Sequence, residues 1–135
     1  MSGYLLDNNH VGAAIARVSA LRDRLRQSQR SGIRVGTCAP VLCELEAGIQ
    51  QTGDADSYRR RLKTLLQNVR LWPVELPVAM FYGEIYLRLR RSGRVLSQVD
   101  MMLAALARTM DLTILTTDND FGALPEVRTE NWLRG

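Results

Sequence analysis

Short strand-like runs alternate with longer helical patterns along this chain, and that alternation leaves few folds open to it. Short runs at residues 3–6, 34–38, 69–72 and 112–115 have the length of strands, and the first, GYLL, reads as buried. The segments between them repeat their apolar residues at helical spacing. Ile15, Val18, Leu21 and Leu25 predict a helix that is under way by residue 13 and ends at Ser31 and Gly32. Pro40 suits the first turn of a helix over residues 40–51. Tyr58, Leu62, Leu65 and Val69 mark another. Pro77 opens a helix with Val78, Phe81, Ile85 and Leu89 inward, closed by Ser92 and Gly93, and residues 98–109 form the next. A brief final strand is expected near residues 126–128. Such alternation implies an α/β protein: a parallel sheet with helices on both faces. Its 135 residues suffice for one domain, residues 1–135, with a proper core.

Charge narrows the partners. The net charge is +4, and arginine supplies nearly all the positive groups, since Lys63 is the only lysine. Guanidinium groups match phosphate in a bidentate way, which suits a nucleic acid; solvated helix faces would look the same. Aromatic residues make up 6% of the chain, too few for a platform that stacks single-stranded bases. No run approaches the roughly 20 apolar residues of a membrane span. The N-terminus lacks the basic region of a secretory leader. Cys38 and Cys43 form no CxxC pair and read as buried thiols in a reducing cytoplasm.

The acids carry the chemistry. In open α/β sheets, ligands bind beyond the carboxyl ends of the strands. The first strand, in YLLDNN, stops at Asp7, and the fourth runs into TTDNDF with Asp118 and Asp120. Glu44 and Glu46 lie on the helix after the second strand, and Asp100 opens the helix from Gln98. Each has a structural alternative. Asp7 could close an Asx turn with Asn9, and Asp118 and Asp120 could be turn residues. Asp100 fits a capping box with Ser97. Glu44 and Glu46 both sit at the edge of their helix's apolar arc, and periodicity does not choose between them. Yet Met101 to Ala107 is apolar all round, which places Asp100 at the start of a buried helix, where a charge is costly without a cation. Converging carboxylates repel unless something neutralises them, and oxygen donors favour Mg²⁺ or Mn²⁺ over zinc. His10 is the only histidine, which excludes a two-histidine acid–base mechanism.

Taken in order, YLLDNN, ELEAG at 44–48, AMFYGEIYLRLRRSG at 79–93, VDMMLAALA at 99–107 and LTTDNDF at 115–121 resemble the PIN-domain ribonucleases, and among them the VapC-type toxins of toxin–antitoxin modules. The resemblance spans nearly the whole chain. It implies a three-layer α/β/α sandwich with a central parallel sheet of four to five strands. It implies Asp7, Glu44, Asp100 and Asp118 as the catalytic metal-binding acids, with Asp120 as an additional ligand, and it favours Glu44 over Glu46. Asn9, Thr116 and Thr117 are implied as positioning groups. The chain departs from the pattern at Asn8, where many relatives carry Thr or Ser, and at His10, where an aliphatic residue is usual. The implied activity is Mg²⁺- or Mn²⁺-dependent cleavage of RNA, tRNA among the substrates, by a metal-activated water. The implied partners are a cognate antitoxin and a second copy of the chain in a homodimer, all in the cytoplasm. The apolar helices around 40–50 and 78–89 could fill the core or supply those interfaces.

Other readings fare worse. A phosphoacceptor receiver domain needs an acid pair after its first strand and a late lysine, and Lys63 lies mid-chain. A phosphatase with an Asp-x-Asp nucleophile would find Asn9 at its second position. The rival of a different class is a catalytically inactive PIN-like module that binds RNA or protein; retention of all the acids speaks against it.

Overall fold

The structure is a computed structural model describing residues 3–134. Five parallel strands form one sheet in the order β3-β2-β1-β4-β5. They are β1 (Gly3–Leu6), β2 (Arg34–Cys38), β3 (Arg70–Trp72), β4 (Leu112–Leu115) and β5 (Thr129–Glu130). The helices are α1 (Asn8–Ala14), α2 (Ala20–Arg30), α3 (Ala39–Ile49), α4 (Ala55–Leu66), α5 (Leu76–Arg91) and α6 (Gln98–Met110). A 3₁₀ turn covers Asp120–Ala123.

Burial explains the central strands. Leu5, Leu6, Ile114 and Leu115 are essentially inaccessible, as expected for parallel strands covered on both faces. Each such side chain contributes about 1.5–3 kcal/mol by leaving water. Close strand packing also dictates Gly36: a Cβ there would lie 2.6 Å from the Arg70 carbonyl oxygen. Helices α2 and α5 end as the sequence predicts, at Gly32 (φ 85°) and Gly93 (φ 70°). After α5 the Arg94 amide donates to the Leu89 carbonyl at 2.9 Å and Gly93 to Arg90 at 3.3 Å, the paired bonds of a Schellman stop.

The chain passes from β1 outward through β2 to β3, then returns to the far side of β1 as β4. Strand order therefore reverses between β1 and β4. The carboxyl edge of that switch point is where an open α/β sheet forms its crevice, and Asp7 and Thr116 lie on it.

Three local expectations change. The first helix is two helices, because the chain turns between Ile15 and Ser19. Arg22 caps that turn, donating to the carbonyls of Ala14 at 3.2 Å and Ala16 at 2.9 Å. Val18 consequently points outward, 91% exposed, while Ile15, Leu21 and Leu25 stay buried. The last strand is at Thr129–Glu130, just after the predicted 126–128. Cys38 is buried but Cys43 is exposed. Among the described residues no helix is long and apolar enough to cross a membrane.

Candidate active site

Asp7 is the first residue beyond β1 and the N-cap of α1. Its Oδ1 accepts the Asn8 amide at 2.7 Å and its Oδ2 accepts the Thr116 hydroxyl at 2.8 Å. The Asp7 amide donates to the Leu115 carbonyl at 3.0 Å. The carboxylate is thus oriented at both oxygens, in a position only 5% exposed. Asp7 is both structural punctuation and a held acid at the crevice. The punctuation is a helix cap on Asn8 rather than an Asx turn with Asn9.

Thr116 passes that order on. Its Oγ1 accepts the Asp118 amide at 3.0 Å, and Asp118 Oδ1 accepts the Asp120 amide at 2.8 Å. The loop after β4 is therefore folded back by its own side chains. Asp118 and Asp120 come with Asp100 to within 4.8 Å of one another, counted between carboxylate oxygens. Asp100 enters from α6, whose N-cap Ser97 accepts the Asp100 amide at 3.1 Å. The half of the capping box made by Ser97 is present, as the sequence suggests. Capping and site placement coexist at Asp100.

Electrostatics ties in the remaining acids. Burial, the charge of Asp7 and that of Asp118 push Asp100 up to about 7. Burial and the charge of Asp7 raise Glu44 as well. Glu46 behaves in the opposite way. Arg59 holds it below its ordinary value, in a salt bridge on the surface. Glu44, not Glu46, faces the other acids. So Asp7, Glu44, Asp100, Asp118 and Asp120 share one corner, with Asp120 at its exposed edge.

Asn9 and Thr117 also meet here: the Thr117 amide donates to Asn9 Oδ1 at 3.3 Å. The same oxygen faces His10 Nδ1 at 2.6 Å, and His10 Nε2 accepts the Trp132 amide at 3.1 Å. His10 is completely buried, and burial lowers it to about 4. In the sequence His10 stands out as the only histidine and as a departure from a pattern, with no sign of this role. Its link to the C-terminal segment spans more than a hundred residues and has no local signal.

A set of oxygen donors this close, with one of them holding its proton near neutrality, fits a hard divalent cation. Among the described residues no His or Cys joins the cluster: His10 is spent on hydrogen bonds, and burial pushes the Cys38 thiol up to about 11. A larger cavity of about 340 Å³ lies away from the acids, between α2 and α4. Two of its arginines, Arg22 and Arg61, are already bound to backbone carbonyls.

A family model described as PIN domain matches residues 4–127. Ribonuclease VapC5 of Mycobacterium tuberculosis is 32% identical over 93 residues, which span 67% of this chain and 69% of that protein. The structure of VapBC2 from Rickettsia felis, bound to a DNA fragment from its promoter, superposes with a TM-score of 0.85 at 21% identity, over 96% of this chain and 98% of that one. VapBC-5 from Mycobacterium tuberculosis, a member of the VapBC family of toxin–antitoxin systems, superposes at 0.68 and 25% identity, over 97% and 98%. The likeness to the Rickettsia chain bears on the fold alone: a parallel sheet between helices.

Proposed function

This chain belongs to the PIN-domain family, and from that premise we propose that it is a VapC-type ribonuclease toxin that requires Mg²⁺ or Mn²⁺. The observation that carries the reading is the crowding of carboxylates at the switch point, with Asp100 held near 7 by burial and by its acidic neighbours. The catalytic assignment is Asp7, Glu44, Asp100 and Asp118. Asp120 is an outer ligand, and Asn9, Thr116 and Thr117 position.

A bound divalent ion would acidify a water and neutralise charge on the reacting phosphate. The side chains of this protein do the rest. Asp7 presents oxygens fixed by Thr116 and by the start of α1. Asp118 and Asp100 would complete the ligand set, Asp100 in its deprotonated form. Glu44 stands on the exposed side, where it can orient the attacking water. Thr116 keeps the loop after β4 in register with Asp7.

The partners follow the relatives. Ribonuclease VapC5 supports RNA as the substrate class, and the VapBC structures support a cognate antitoxin. The arginine-rich charge suits RNA phosphates, so affinity should fall with salt. Leu76, Met80 and Leu87 on α5 are 71%, 65% and 45% exposed, which supports a homodimer face.

The test is incubation of purified protein with total RNA and Mg²⁺, followed by mapping of 5′ ends. We expect discrete cuts that EDTA stops and Mn²⁺ restores. Undiminished cleavage in excess chelator would overturn the metal assignment. Intact RNA together with no Mn²⁺ binding by calorimetry would favour the inactive binding module.

A further inference from the structure

Beside the acid cluster lies a second, polar cavity of about 180 Å³. Its near wall is the loop after β4, with Thr117, Asp118 and Asn119, and its far wall is the C-terminal segment, with Glu130, Asn131 and Arg134. We propose that this cavity is a subsite for one nucleotide next to the reacting phosphate, and that His10 is the positioning residue that holds its far wall. The proposal rests on the ribonuclease reading above.

The far wall is anchored by three separate devices. β5 pairs with β4, and the Thr116 amide donates to the Glu130 carbonyl at 3.0 Å. The Trp132 ring is held between the Arg24 guanidinium, 3.7 Å from its centroid, and Tyr4 of β1, whose centroid is 4.6 Å away. The Trp132 amide then ends on His10 Nε2. A backbone N–H can only donate, so Nε2 must carry the lone pair and Nδ1 the proton. Nδ1–H therefore donates to Asn9 Oδ1, which also accepts from Thr117. One ring thus joins both walls: Trp132 on one side and, through Asn9, Thr117 on the other. Only neutral imidazole can do this, and burial keeps His10 neutral.

The lining indicates the occupant. Asp118 and Glu130 make the interior unfavourable for a phosphate. Asn131 spends Oδ1 on the Leu133 amide at 2.9 Å, which leaves its amide donors. Glu130 Oε1 accepts Trp132 Nε1 at 3.0 Å. What remains is a mixed set of donors and acceptors from Thr117, Asn119 and Asn131, with Arg134 at the side. That set suits a base edge or ribose hydroxyl, with Arg134 on the adjoining phosphate. The volume equals the share of about six waters, enough for one base but not a stacked pair.

The experiment compares wild type with Arg134→Ala, His10→Leu and His10→Gln on an RNA fragment that the wild type cuts. KM and kcat are measured in Mn²⁺, RNA affinity by fluorescence anisotropy in EDTA, and Mn²⁺ affinity by calorimetry. Arg134→Ala should raise KM and weaken RNA binding about tenfold or more, the loss of one charged hydrogen bond, with kcat and Mn²⁺ affinity unchanged. His10→Leu should raise KM similarly, and His10→Gln, which keeps an acceptor for the Trp132 amide, should recover part of it. Unchanged KM and RNA affinity in Arg134→Ala and His10→Leu would overturn the subsite. A fall in kcat or in melting temperature with constant KM would reduce His10 to a structural residue. If His10→Leu fails to fold, Arg134→Ala decides alone. A wild type that binds RNA without cutting it sinks the ribonuclease reading, while the affinities still judge the subsite.

Discussion

Replacing Asp7 by Asn should stabilise the metal-free protein while abolishing cleavage. Asp100 is 9% exposed and its carboxyl is held near 7 instead of 3.8. A difference of that size is about 4 kcal/mol against the charged form. Burial is the largest cause, and the charge of Asp7 comes next. Allowing Asp7 about one pKa unit returns roughly 1.4 kcal/mol on its removal. Asn can still accept the Asn8 amide, but the Thr116 hydroxyl loses a charged acceptor, which costs about 0.5–1 kcal/mol. The net gain is about 0.5–1 kcal/mol, or about 2–4 °C in Tm. Its sign with pH is fixed by linkage. Asp100 binds its proton more tightly folded than unfolded, so stability falls as pH rises from about 4 to about 7 and stays low above. His10, lowered from 6.5 to about 4, acts oppositely: stability is lost as pH falls through that window. The two slopes oppose each other in wild type, so the informative curve is variant minus wild type, in which His10 cancels. It should lie about 0.5–1 kcal/mol below zero at pH 4, where only the weakened Thr116 hydrogen bond counts, rise as Asp100 ionises and level off at the net gain above pH 7. The assay is urea unfolding in EDTA across that range, repeated with Mn²⁺. At a hundred times its Kd, Mn²⁺ adds about 2.7 kcal/mol to wild type and much less to the variant, so the ranking inverts. A variant less stable than wild type in EDTA at pH 8, and stabilised equally by Mn²⁺, would refute the mutual repulsion.

The paired substitutions Glu44→Gln and Glu46→Gln should separate by at least about 100-fold in cleavage rate, the scale of a lost acid–base group. Glu44→Gln is the damaged one; Glu46→Gln only frees Arg59 on the surface and should leave the rate within about twofold. Ser97→Ala removes the N-cap of α6 and should cost about 1 kcal/mol in urea unfolding. It should also weaken Mn²⁺ binding in calorimetry, because Asp100 sits in the turn that frays. Gly36→Ala drives a methyl into the Arg70 carbonyl and the Trp72 ring, at 2.6 and 2.8 Å. A loss of about 1–3 kcal/mol in the same unfolding assay is expected.

Much of the fold was legible in the sequence because buried parallel strands and helix stops have local signatures. Leu112, Ile114 and Leu115 make β4 a mostly apolar run, and Gly32 and Gly93 stand where a left-handed residue must end a helix. The split between α1 and α2 was not legible. The spacing of Ile15, Val18, Leu21 and Leu25 continues across the break, and what makes the turn is Arg22 reaching back to carbonyls. Hydrophobic period cannot register that. At the site, Asp7 and Asp118 were visible as acids after strands, but Glu44 and Glu46 were indistinguishable by period. Their difference is tertiary: Arg59, thirteen residues on, takes Glu46 away, and Asp7 faces Glu44.

The structural and functional readings of Asp7 and Asp100 are not alternatives. Asp7 caps α1 and Asp100 sits in the capped first turn of α6 because helix starts on the carboxyl side of a parallel sheet supply amides that hold a carboxylate. The same topology brings those starts to one edge between β1 and β4. Caps therefore fix the acids individually, and the switch point makes them neighbours. The cost of bringing them together is borne by Asp100, whose carboxyl is held near 7 by burial and by the charges of Asp7 and Asp118.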